Sequence, residues 1–164
     1  MNMNTPILIT GSTGFIGSNL THSLVSKGHE VHLIIRKQSN LWRLNDIVQK
    51  VKIHYSDLLE FDNVRLIVDK IKPKTIFHLA TYGAYSYQNE MDTIKLVNLD
   101  STINLIKICA NYNFSIFINT GSNSEYGFKE HPMRESDSLE PNSYYSVFKS
   151  ASTLFCQFES ISKQ

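Results

Sequence analysis

The sequence predicts an α/β protein of three layers, a doubly wound parallel sheet between helices. Three observations predict it. Short apolar runs alternate with longer amphipathic segments along the 164 residues, and parallel strands in that order need a helix for each return. A glycine-rich turn, Gly11-Ser12-Thr13-Gly14-Phe15-Ile16-Gly17, joins the first apolar run to the first amphipathic one. Residues able to do chemistry fall at the C-terminal ends of the apolar runs or on the helices that follow, where such sheets bind ligands.

Ile7, Leu8 and Ile9 give residues 6–10 the unbroken apolar character of a buried strand. A helix follows over 14–27, with Gly28 placed to end it. Val31, Leu33, Ile34 and Ile35 mark a second strand over 30–36, and residues 51–55 a third. Between them, 41–49 has the spacing of a short helix. Val64, Ile67, Val68 and Ile71 share one face of a helix over 61–71. A fourth strand, entered through Pro73, covers 75–79. A polar loop with Tyr82, Tyr85 and Tyr87 leads to a long helix over 91–111 and a fifth strand over 115–119. Past a loop from 121 to 141, a last helix spans 143–160.

Composition excludes several classes of function. Hydrophobic residues at 41% and charged residues at 19% are ordinary for a soluble globular protein. Sixteen lysines and arginines against fifteen acids leave no field that would draw nucleic acid or an anionic membrane. The first residues lack the basic start of a signal peptide, and no apolar run nears the ~20 residues of a membrane span. The expected location is the cytoplasm. Cys109 and Cys156 sit in helical patterns, as buried reduced thiols would. The six histidines have no metal-ligand spacing, so no metal site is expected.

The glycine turn points to a dinucleotide. Gly11 permits the tight bend, Gly14 lets backbone approach a pyrophosphate, and Gly17 allows close packing of helix on sheet. The unpaired N–H groups and the dipole at the helix start face the phosphates. The residue ending the second strand selects the ribose: an acid binds the 2′-hydroxyl of NAD, a cation the 2′-phosphate of NADP. Arg36 stands there, followed by Lys37, which favours NADP over NAD. Asp57, after the third strand, is placed to accept from the adenine amino group or to cap the next helix.

Tyr145 and Lys149 lie four residues apart on the last helix and project from one face. A free phenol titrates near ~10, and shifting it by ~3 units takes about 4 kcal/mol, which a neighbouring ammonium can help supply. Taken alone, such a pair is more commonly an exposed amphipathic surface pair. Ser122, just after the fifth strand, brings a hydroxyl to the same end of the sheet.

Together the glycine turn, Asp57, His78-Leu79-Ala80, Asn98, the 122–127 segment and the Tyr145/Lys149 pair resemble the extended short-chain dehydrogenase/reductase family. The resemblance is to its nucleotide-sugar branch, the NAD-dependent epimerase/dehydratase group, and implies a Rossmann-type domain over residues 1–164. It implies Tyr145 as acid/base, Lys149 on the nicotinamide ribose and tuning Tyr145, and Ser122 polarising the substrate oxygen. It adds Thr13, Phe15, Ile16, Leu58, Leu79, Ala80 and Asn98 to the cofactor's surroundings, although Asn98 also suits a plain helix surface. The 4,6-dehydratases of the family carry Asp-Glu after the catalytic hydroxyl; Asn123 and Ser124 stand here, which argues against dehydration. With Arg36, the segment from His78 to Gly83 looks more like the 4-keto-reductases of deoxysugars such as CDP-abequose or CDP-paratose. A UDP-glucose-type 4-epimerase is the alternative.

Relatives implied by this resemblance run to about twice the length, with a C-terminal lobe for the nucleotide sugar. The expectation is therefore a domain truncated after the catalytic helix, its fifth strand left as an edge. Such a chain would bind cofactor weakly and turn over little sugar alone, and a non-catalytic NAD(P)-binding module is the reading from another class. The resemblance also implies a homodimer through the fourth and last helices, which the apolar stripe of Val147, Phe148, Ala151, Leu154, Phe155 and Phe158 permits, although ordinary core packing explains much of that stripe as well.

Overall fold

A computed structural model describes residues 5–162. The strands are β1 (Ile7–Thr10), β2 (Val31–Ile35), β3 (Lys52–Tyr55), β4 (Thr75–His78) and β5 (Ile116–Asn119). The helices are α1 (Phe15–Ser26), α2 (Phe61–Ile71), α3 (Met91–Lys95), α4 (Ser101–Ala110) and α5 (Tyr144–Ser162). The sheet runs β3-β2-β1-β4-β5, with β1 parallel to β2 and β4, and β2 parallel to β3. The chain thus steps outward from β1 to β3 and then crosses back to β4. Strand order reverses at β1, whose C-terminal end carries the glycine turn.

Two compact units make up the chain: Met1–Ala80 with Asn104–Ile118, and Thr81–Ile103 with Asn119–Gln164. In the first, the two-residue period of the strands sorts side chains into two cores. Leu8, Ile34 and Ile76 point to one face and pack with Val64, Val68 and Ile71 of α2 and Leu105 and Ile108 of α4. Ile7, Ile9, Val31, Leu33 and Ile35 point to the other, against Leu24 of α1 and the linker residues Leu44 and Ile47. Continuous apolar strands with a helix on each face are the signature of a buried parallel sheet. α1 ends as expected at Gly28: its φ is +77°, its N–H donates to the Val25 carbonyl, and the His29 N–H donates to that of Leu24. This is the Schellman pattern.

Two expected helices differ. Residues 41–49 form two 3₁₀ turns, Trp42–Leu44 and Val48–Lys50. Leu44 and Ile47 are both buried at a spacing of three, which a 3₁₀ turn satisfies by stacking i on i+3. The helix over 91–111 is interrupted by a π-helical turn, Leu96–Asp100. That turn lies in the second unit and carries Asn98, whose buried amide is committed to the preceding loop. Ser143 and Ser146 cap α5 reciprocally: the Asn142 and Ser143 N–H groups donate to Ser146 Oγ, and the Ser146 N–H to Ser143 Oγ. At the other end of the sheet order, β5 leaves Ile116 and Ile118 exposed.

Candidate active site

The glycine turn is built by contact at the backbone. Gly11 has φ +70°, and a Cβ on it would stand 2.6 Å from the Ala80 nitrogen. A Cβ on Gly17 would stand 2.3 Å from the Gly11 carbonyl oxygen, so the first turn of α1 lies directly on the bend. Around Gly14 a Cβ meets only the Gly11 carbonyl, at 3.3 Å. Thr10 ties the turn to β4, its hydroxyl bonded to His78 Nδ1 at 2.7 Å and accepting from the Ala80 N–H at 3.3 Å.

These residues fit a dinucleotide's phosphates. No side chain caps α1 and no acid stands in its first turn, so its leading N–H groups await an external acceptor. Ser12 is fully buried, and its hydroxyl has no hydrogen-bond partner among the described residues. Phe15 and Ile16, apolar yet 74% and 63% exposed, flank the bend. Thr13 is half-buried, and Arg36 and Lys37 are exposed just beyond β2. Asp57 accepts from the Leu59 N–H at 3.0 Å, and the capping position of α2 belongs to Glu60 instead. Leu58 and Leu79 are partly spent on the two cores.

The second unit holds Asn98, Ser122, Tyr145 and Lys149. Asn98 is 1% exposed, which removes the helix-surface alternative. Its Oδ1 accepts from the Thr81 hydroxyl and the Tyr82 N–H, each at 3.0 Å, and its Nδ2 donates to the Tyr82 carbonyl at 2.6 Å. With its amide so occupied, it anchors the loop after β4. Ser122 begins a 3₁₀ turn, Asn123–Tyr126, as a capping box: the Ser124 N–H donates to Ser122 Oγ, and the Ser122 N–H to Glu125 Oε1 at 2.6 Å. The Ser122 and Ser124 hydroxyls are 2.6 Å apart.

Tyr145 is half-buried and lines a pocket of about 370 Å³ with Ser124, Ser143, Tyr144 and the loop residues Gly83, Tyr85 and Gln88. Four residues on, Lys149 is 3% exposed and its Nζ donates to the Thr120 carbonyl. Burial pushes the Lys149 ammonium below the ordinary lysine value, while the Glu125 carboxylate works against that shift, as does Cys156. The two cysteines are free, their thiols pushed up by burial to about 12 for Cys109 and about 11 for Cys156. Neither is a nucleophile near neutral pH.

Three residues of these two units went unread in the sequence. Glu125 is a buried carboxylate in a segment that looks like an exposed polar turn. Ser124 is the hydroxyl that reaches the pocket wall, with Ser122 hydrogen-bonded to it. The orphaned Ser12 hydroxyl had one available signal, its place inside a glycine turn.

The NAD dependent epimerase/dehydratase family model matches residues 7–159. GDP-mannose 4,6 dehydratase 1 of Arabidopsis thaliana is 32% identical over 160 residues, covering 88% of this chain and 44% of that protein. A solved structure of the UDP-Glc/GlcNAc 4-epimerase from Campylobacter jejuni superposes with a TM-score of 0.89 at 23% identity, covering 97% of this chain and 50% of that one. The Bordetella bronchiseptica enzyme WbmG, solved in complex with NAD, superposes with a TM-score of 0.85 at 22% identity, covering 96% and 50%. The chain spans less than half the length of the curated relatives it matches.

Proposed function

The chain belongs to the NAD dependent epimerase/dehydratase family, and from that premise we propose that it supplies the cofactor-binding and proton-transfer half of an NAD(P)-dependent oxidoreductase acting on a nucleotide sugar. A single observation carries the reading: the uncapped start of α1 over a glycine bend, with the buried Ser12 hydroxyl left unpartnered. A polar atom kept dry without a partner costs about 1–3 kcal/mol, and a bound phosphate or its water removes that cost.

A nicotinamide dinucleotide held at the glycine bend would supply the hydride chemistry at C4 of the sugar. Tyr145 exchanges the O4 proton, and the pocket it lines orients the ring. Lys149, on the same helix face, lowers the cost of the phenolate. The hydroxyls of Ser122 and Ser124 donate toward the polarised oxygen. Purified protein mixed with NADPH should quench its own tyrosine and tryptophan fluorescence saturably; no saturable change with NADPH or NADH would sink the assignment.

Within the family the reading favours a 4-keto-reductase, with a 4-epimerase as the alternative. Dehydration needs a carboxylate or its equivalent at the sugar to move the C5 proton. Ser124 stands at the pocket wall, and the one carboxylate of this turn, Glu125, is buried on the Ser122 backbone. The dehydratase relatives therefore mark descent rather than reaction. Arg36, exposed at the end of β2, supports NADP. Arg36→Asp is expected to weaken NADPH binding about tenfold, the ~1.4 kcal/mol of one charge-assisted contact, while sparing NADH. An unchanged preference would refute it. The reading also includes a homodimer through α5 and the helices over 91–110.

A further inference from the structure

The segment between β5 and the pocket binds two buried residues of opposite charge that the hydride chemistry leaves unassigned. Lys149 and Glu125 are each 3% exposed, and such residues are rarely buried so fully unless partnered. Both bind the same short stretch of backbone from opposite polarity. Lys149 Nζ donates to the Thr120 carbonyl, and Glu125 Oε1 accepts from the Ser122 N–H, two residues on. The carboxylate lies close over the intervening residue: a Cβ on Gly121 would be 3.3 Å from Glu125 Oε1. Glu125 is further fixed through its own carbonyl, which accepts from the Glu140 N–H at 3.0 Å.

We propose that Glu125 is a positioning residue for Tyr145 and Lys149, a fixed counter-charge to the buried ammonium whose carboxylate also clamps the turn that presents Ser122. This rests on the proposed oxidoreductase reading for its purpose, though not for its geometry. The electrostatic logic is direct. An isolated ammonium in this environment tends to lose its proton, because burial disfavours the charged form. A neutral Lys149 gives Tyr145 no help. The groups acting on Lys149 are few: Glu125 from the 3₁₀ turn and Cys156 two helical turns along α5, with Glu159 acting in turn on Cys156. Of these, Glu125 is the stronger opponent of desolvation. Glutamine at 125 keeps an acceptor for the Ser122 N–H and removes the charge, which separates the electrostatic role from the clamp.

The test is the titration of the Lys149 side chain by NMR in lysine-labelled protein, assigned with Lys149→Arg, in wild type, Glu125→Gln and Glu125→Asp. Lys149 is expected to titrate lower in Glu125→Gln than in wild type, with Glu125→Asp between the two. An unchanged Lys149 titration in folded Glu125→Gln overturns the proposal. If Glu125→Gln does not fold, Glu125→Asp decides alone: its carboxylate is withdrawn by one methylene, so a titration equal to wild type overturns the proposal equally. The readout needs neither cofactor nor sugar. Failure to bind NADPH would thus count against the proposed function and leave this pair to be judged by its own titration.

Discussion

A single methyl group at residue 17 probes the glycine bend more sharply than any charge. The Cβ of Gly17→Ala would lie 2.3 Å from the Gly11 carbonyl and 2.7 Å from the Ser12 Cα. Both are backbone atoms, so α1 must lift from the turn. Overpacking of this kind costs about 1–3 kcal/mol, and at roughly 2–4 °C per kcal/mol for a chain of this size the melting temperature should fall measurably. NADPH binding should be lost with it. Gly28→Ala is the matched control: nothing lies within 4 Å, and only the positive φ of +77° is strained, for about 1 kcal/mol. It should lower stability and leave binding intact. If Gly17→Ala binds NADPH like wild type, the bend is not the phosphate site. The glycines were readable because what each demands is local, whereas Glu125 was not. Its neighbours Asn123, Ser124 and Tyr126 spell a polar turn, and its burial follows from a backbone N–H and a lysine brought there by the fold.

Among the elements, β2 and β3 share a histidine pair that ties stability to pH. His32 Nδ1 is 2.9 Å from His54 Nε2, and His32 Nε2 is 3.0 Å from Glu30 Oε1. The arrangement suits neutral rings, with His54 donating to His32 and His32 donating to Glu30. Burial is the main reason both imidazoles are held below their ordinary value; for His54 the His32 charge adds to it, and for His32 the Glu30 carboxylate opposes it. A group whose folded pKa is depressed takes its proton more readily in the unfolded chain. The stability it lends is therefore complete above about pH 6.5 and drains as pH falls from there through the folded values. Urea unfolding at pH 7.5 and pH 5 should show this loss, and His54→Gln should flatten it. Equal slopes in both proteins would contradict the assignment.

The π turn at Leu96–Asp100 makes a second prediction at this scale. Asn98→Ala removes the hydrogen bonds to the Thr81 hydroxyl and to the Tyr82 N–H and carbonyl, at about 0.5–1.5 kcal/mol for each bond lost. Hydrogen exchange should quicken at Tyr82 and Gly83; protection equal to wild type would show that the loop holds itself. The sequence could not display this turn, since one inserted residue barely alters a helical period over so short a span. By contrast, α2 matched its expected bounds over 61–71, because Val64, Val68 and Ile71 form a clear buried face. The spacing of Leu44 and Ile47 suits α and 3₁₀ turns alike, so 41–49 was misread.

At the scale of the whole molecule, near-neutral charge and an apolar helix face bear on assembly. With a formal net charge of +1, long-range repulsion between copies is weak. Of the apolar stripe expected on the last helix, Val147, Leu154 and Phe158 are 43%, 54% and 63% exposed, while Phe148, Ala151 and Phe155 are half-buried. The exposed three follow a helical spacing of seven and four, so they lie along one line of α5. Ile161 continues past them at 71% exposure, and Met91 and Leu96 add exposed apolar surface on the 91–100 segment. An apolar line of that length facing water is uncommon on a monomer, and a two-fold pairing of α5 with its copy would cover it isologously. Light scattering at tens of micromolar should give twice the chain mass of 18.8 kDa. Leu154→Glu with Phe158→Glu should return the monomer and keep the melting temperature, because neither side chain belongs to either core cluster. A wild-type protein that scatters as a monomer would mean that the stripe serves some other contact.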